Sequence, residues 1–159
     1  MSINEDHKKF MTEAIILSQE SVSQGGGPFG TVIVKDGQIV GRGVNRVTKS
    51  NDPTAHGEIV AIREACANLN SFRLDDCVLY TSCEPCPMCL GAIYWSRVKE
   101  VFFANTREDA ASIGFDDALI YDEISAPLHN RKIEFRQIMR EEAIPVFHSW
   151  TKKEDKIPY

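Results

Sequence analysis

The sequence predicts an α/β fold: a three-layer α/β/α sandwich with a central mixed five-stranded sheet, formed as a single domain over residues 1–159. Three observations predict it. Helical and strand-like segments alternate in the order αββαβαβαβα, a hairpin signal sits near the start, and the later strands run into helices instead of hairpins. Phe10, Met11, Ala14, Ile15, Leu17, Ser18 and Val22 recur at helical spacing, so the chain opens with an amphipathic helix that Gly25-Gly26-Gly27-Pro28 ends. Thr31 to Val34 and Gln38 to Val40 flank Asp36-Gly37, a pair suited to a tight β-hairpin turn. After Asn51-Asp52-Pro53-Thr54 comes a helix through Ile59, Ile62, Ala65 and Cys66, with Asp52 or Thr54 as its N-cap.

Cys77 to Thr81 reads as a buried strand leading into Glu84-Pro85. A helix starts near Cys86-Pro87, where proline is tolerated in the first turn, and runs to about Arg97. Val101 to Ala104 reads as another buried strand, followed by a helical stretch. Ile133 to Met139 supplies the fifth strand, and a last helix spans Arg140 to Lys153. Strand-to-helix connections then place the starts of two helices, near His56 and Cys86, on the same rim.

Composition narrows the function classes. Hydrophobic content of 43% and charged content of 26% are ordinary for a globular domain. A net charge of -5 weighs against a nucleic-acid partner, which clustered Lys and Arg would serve. Lys152, Lys153 and Lys156 form a small basic tail offset by Glu154 and Asp155, and read as a solvated helix end. No apolar run reaches the roughly 18 residues of a membrane-spanning helix. Met1 to Asp6 is too polar and acidic to read as a signal peptide. Five cysteines, an odd count, point to a reducing cytoplasm and thiolate chemistry.

The chemistry is concentrated in His56-Gly57-Glu58 and Pro85-Cys86-Pro87-Met88-Cys89. Cys86 and Cys89 are three apart on a first helical turn, so both sulfurs face one way, and His56 can complete a tripod. Three protein ligands leave a fourth tetrahedral position, which separates catalytic from structural zinc. Taken alone, His56 reads equally as a capping or core histidine, and Cys86-x-x-Cys89 as a redox pair or zinc knuckle. Cys83-x-x-Cys86-x-x-Cys89 also has the spacing of part of an iron–sulfur run, but Cys83 lies before Pro85 and off the helical turn. Cys66 and Cys77 read as small core residues. The joint pattern, with a carboxylate two residues after the histidine, matches the H-x-E…P-C-x-x-C signature of zinc deaminases.

Beyond the motif, Phe29-Gly30, Asn45, Pro53 to Glu58 and Cys83 to Ile93 resemble the cytidine deaminase superfamily, especially its base- and tRNA-deaminating branches. Thr81 to Trp95, Ile113-Gly114-Phe115-Asp116-Asp117 and a tail ending in Tyr159 are most similar to its bacterial guanine-deaminating branch. The resemblance implies one Zn2+ per subunit on His56, Cys86 and Cys89, with Glu58 as proton shuttle. It implies hydrolytic deamination of guanine to xanthine and ammonia. Asn45 would donate to the purine carbonyl, Phe29 and Trp95 would wall the flat base, and Asp117 would accept from the guanine ring N–H groups. Glu84, and beside it Glu142, would assist in proton relay. The resemblance further implies a homodimer in which residues from about 140 to 159 exchange between subunits, so that Tyr159 acts in trans.

Gly57 departs from the alanine usual there, as it does in cytosine deaminases. Without the resemblance, Asp116-Asp117 reads as a helix cap or solvated turn, and Phe29 and Trp95 as core. Competing expectations are a guanosine, cytosine or tRNA adenosine deaminase. The last would need a basic groove. From another class, a non-catalytic zinc module would be expected to supply a fourth ligand.

Overall fold

The computed structural model describes residues 4–159; Met1 to Ile3, part of the acidic N-terminus considered above, lie outside the described residues. Two compact units emerge, residues 1–117 and 118–159. The first contains α1 (Glu5–Ser23), β1 (Gly30–Lys35), β2 (Gln38–Val44), α2 (Val47–Ser50), α3 (Gly57–Leu69), β3 (Val78–Cys83), α4 (Pro87–Ser96), β4 (Glu100–Asn105) and α5 (Arg107–Ser112).

The strands form one mixed sheet in the order β2-β1-β3-β4. The β1–β2 hairpin pairs Lys35 with Gln38, and both turn residues have positive φ, 49° at Asp36 and 73° at Gly37. That is the backbone twist a two-residue hairpin needs, and Asp-Gly tolerates it. β1 runs antiparallel to β3, and β3 runs parallel to β4 through the α4 crossover.

Alternation along the strands divides the core in two. Val32, Val34 and Tyr80 pack with Phe10 and Ala14 of α1. Ile33 and Leu79 pack on the other face with Ala61 and Ala65 of α3 and Ile93 of α4. Helices therefore cover both faces, which gives the three layers.

The sheet has four strands among the described residues, where the sequence suggested five. Residues 131–139 join no ladder, and Ile133 and Ile138 are 73% and 78% exposed. β-Branched residues favour extended backbone, but a strand also needs a paired neighbour and a buried face. The β4 strand is also less buried than its apolar sequence suggested, with Phe103 48% exposed, because it is the edge of the sheet.

Considered by itself, the second unit holds α6 (Ala118–Ser125), a 3-10 turn (Leu128–Asn130) and α7 (Arg140–Lys152). None of its residues is buried. Its basic end is a helix terminus, as expected: the Lys156 ammonium donates to the carbonyls of Thr151 and Lys153, at 2.8 and 3.0 Å. No helix among the described residues is long and apolar enough to cross a membrane.

Candidate active site

Two helix N-termini build the site. His56 is the N-cap residue of α3, with extended backbone and no side-chain capping bond. Asp52 and Thr54, the expected caps, instead close the preceding turn: Asp52 Oδ1 accepts from the Thr54 amide at 2.9 Å and its hydroxyl at 2.7 Å. The imidazole is thus turned away from capping. Cys86 is the corresponding N-cap of α4, with Pro87 as the first helical residue, and Cys89 lies in the first turn. Helix N-termini carry partial positive charge, which favours thiolates and other anions.

His56 Nδ1 lies 3.5 Å from the sulfurs of both Cys86 and Cys89. All three ligand atoms fall within 4.8 Å of one another. Tetrahedral zinc with Zn–S near 2.3 Å and Zn–N near 2.0–2.1 Å separates its S and N donors by about 3.6 Å. The donor set fits that ion in spacing and softness, and it offers three ligands. Cys83 stays apart from this cluster: it is buried at the end of β3, with its sulfur 3.7 Å from the Thr106 carbonyl oxygen. Burial pushes its thiol up to about 11, which makes it a poor ligand.

The three donors shift one another's protonation. The neighbouring Cys89, aided by His56, pushes the Cys86 thiol down to about 4, and the nearness of Cys86 together with burial pushes Cys89 up. His56 is raised, chiefly by its hydrogen bond with Cys86.

Glu58 is 6% exposed and approaches the cluster without belonging to it. Cys89 Sγ donates to its Oε2 at 3.3 Å, and the Thr81 hydroxyl donates to its Oε1 at 3.4 Å. Burial raises its pKa, against the opposing hydrogen bonds, so the side chain is suited to carrying a proton.

The other expected site residues fall in several places. Asn45 follows β2; its Oδ1 accepts from the Val47 amide at 3.2 Å, which leaves N–H groups as the donors its side chain can offer. The ring of Phe29 meets that of Phe115 edge to face, with centroids 4.9 Å apart. Asp117 is half-buried and its carboxyl is raised, first by burial, with the charge of Cys86 adding to the effect. Glu84 accepts from the Arg107 amide at 3.0 Å. Trp95 stands 70% exposed and lines a groove with Gly91, Tyr94 and Arg97. It is six residues after Cys89, about 240° around the helix, so it points elsewhere than the ligand face. Glu142 lies exposed in the first turn of α7, and Tyr159 is 73% exposed in the second unit.

Three residues to which the sequence reading gave no individual role also shape this region. Phe115 pairs with Phe29, and Thr31 and Thr81 stand behind Glu58. The threonines carried a signal: each is a polar residue at a core-facing position, two before Ile33 and two after Leu79.

The chain is similar to known proteins in sequence and in structure. Residues 4–105 match the cytidine and deoxycytidylate deaminase zinc-binding region. The chain is 54% identical to guanine deaminase of Bacillus subtilis over 155 residues, which is 97% of this chain and 99% of that protein. It is 32% identical to a tRNA-specific adenosine deaminase of Aquifex aeolicus, covering 91% and 93% of the two chains. The solved structure of the Bacillus subtilis guanine deaminase superposes with a TM-score of 0.94 at 54% identity, covering 99% of each chain. A solved structure in complex with 2,6-diaminopurine matches with a TM-score of 0.66 at 35% identity, covering 68% of this chain and 61% of that one.

Proposed function

Because the chain belongs to the cytidine and deoxycytidylate deaminase zinc-binding family, we propose that it hydrolyses guanine to xanthine and ammonia. The observation that carries this is the three-donor cluster of His56, Cys86 and Cys89 with the unliganded Glu58 carboxylate beside it. Zinc held there supplies Lewis acidity and lowers the pKa of a water from about 15.7 to roughly 7. Glu58 takes a proton from the water that adds to C2 and delivers it to the ring nitrogen; it then takes the proton of the new C2 hydroxyl and passes it to the departing amine as the C2 carbonyl forms. Water contributes the new oxygen, and the amino group leaves as ammonia.

Substrate choice follows from hydrogen bonding. The Asn45 amide donates to the purine carbonyl, and Asp117 accepts from guanine N–H groups that adenine lacks. Phe29, braced edge-on by Phe115, supplies one apolar wall for the base. Glu84 and Glu142 complete our assignment, in proton relay; Trp95, turned off the ligand face of α4 and 70% exposed, is left out of the wall.

We assign Tyr159 and the segment from about residue 140 to a homodimer in which the tail closes the partner's site. Its support is the exposure of Ile133, Ile138, Phe147 and Tyr159, at 72–78% each, in a unit with no buried residue. Unpaired thiols at all five cysteines fit a cytoplasmic location.

Parallel turnover assays on guanine, guanosine, cytosine and adenine test the substrate, with low-salt binding to tRNA alongside. Guanine should be the substrate converted, and Asp117→Ala should lose roughly 10²-fold or more in kcat/KM with zinc content unchanged. Conversion of another substrate in preference, or an unaffected variant, would overturn the assignment.

A further inference from the structure

Two buried hydroxyls behind the carboxylate have no part in the reaction as described. Thr31 is 0% and Thr81 1% exposed, and they face one another across the β1–β3 ladder. The Thr31 hydroxyl donates to Thr81 Oγ1 at 3.0 Å, and Thr81 donates to Glu58 Oε1 at 3.4 Å. Chemistry fixes the direction of this chain. Each hydroxyl has one proton, and an ionised carboxylate can only accept. Thr81 must therefore give its proton to Glu58 and take one from Thr31.

Packing alone does not call for these residues. Their neighbours on the same face, Ile33 and Leu79, are fully buried and apolar. Valine has the shape of threonine, suits a strand equally, and buries no hydroxyl. Gly57 belongs to the same arrangement: a Cβ there would stand 3.2 Å from Thr31 Oγ1 and crowd it.

Resting on the assignment of Glu58 as proton shuttle, we propose that Thr81 is a positioning residue whose hydroxyl, oriented by Thr31, pins Glu58 Oε1. The other oxygen, Oε2, is then the one that exchanges the proton with substrate. A carboxylate torsion is broad when free, so a donor on one oxygen decides where the other points. When Cys89 is a metal ligand it has no proton to give, and Thr81 is the side chain left donating to Glu58.

The test compares wild type, Glu58→Gln, Thr81→Val, Thr81→Ser, Thr31→Val and the double valine variant, each loaded with zinc. Measured are kcat and KM for guanine, zinc per chain and Tm. Thr81→Val should lose about tenfold or more in kcat, with KM and zinc content held. Thr81→Ser should recover most of the loss, Thr31→Val should lose less, and the double variant should be no worse than Thr81→Val. A wild-type kcat in Thr81→Val overturns the proposal, as does a loss that serine does not restore. If Thr81→Val fails to fold, a wild-type kcat in Thr31→Val overturns it, and a reduced kcat at unchanged zinc supports it. An active Glu58→Gln would instead remove the shuttle assignment; an inactive one beside a fully active Thr81→Val would overturn this inference alone.

Discussion

On the α1 side of the sheet the strands are covered by aromatic bulk. Phe10 meets Tyr80 at 5.4 Å between ring centroids, Tyr80 stacks on Phe102 at 5.2 Å, and the Tyr80 hydroxyl meets His7 Nδ1 at 2.8 Å. On the α3 side, Gly41 and Gly43 pair directly with Ile33 and Thr31 and present no side chain at all. A Cβ on Gly43 would lie 1.9 Å from the Gly57 carbonyl oxygen, and one on Gly41 would lie 2.4 Å from that of Ala61. α1 approaches as closely at Gly30, but there it brings no site residue with it. The α3 face holds a helix whose first residues are His56, Gly57 and Glu58, so its closeness to the strand sets where ligand and shuttle stand. Both faces bury an apolar core, but the α3 face also sets the distances within the site.

Mutations can break that difference. The largest stability effect is expected for Phe10→Ala, about 3–5 kcal/mol by denaturant unfolding, with kcat of the folded enzyme unchanged. A fall in kcat in step with stability would show that the α1 face also tunes the site. Gly43→Ala should cost less stability, about 1–3 kcal/mol, because backbone must move to admit the methyl group. Its guanine turnover should nonetheless drop at least tenfold, since the displaced backbone carries His56 and Glu58. Activity preserved in Gly43→Ala would remove the distance argument. Tyr80→Phe, which deletes one hydroxyl beside His7, should cost about 1 kcal/mol and leave kinetics untouched.

Much of this was legible in the sequence because it is local. The Asp36-Gly37 turn, the start of α4 with its Cys86 and Cys89 pair, and the His56 and Glu58 pair each follow from spacing within one turn or one loop, whereas joining His56 to cysteines some 30 positions away rested on the motif resemblance. The cap of α3 was misplaced at Asp52 or Thr54 because both residues can cap; the choice went to a turn that uses them for each other. The fifth strand was misread for a different reason. Ile133 to Met139 has the composition of a strand, but pairing is decided by a neighbouring edge, which composition does not encode. Thr31 and Thr81 are 50 positions apart, and their contact with Glu58 exists only once β1, β3 and α3 are assembled.

The central claim is that a carboxylate beside a three-donor zinc site, and not a fourth ligand, does the proton chemistry. Zinc stoichiometry and guanine turnover, measured on the same preparations of wild type and Glu58→Gln, test it directly. The account predicts one zinc per chain in both proteins and a loss of about 10²–10⁴-fold or more in kcat for the variant. Substantial turnover by Glu58→Gln at full zinc occupancy, or an active wild-type enzyme without zinc, would contradict it.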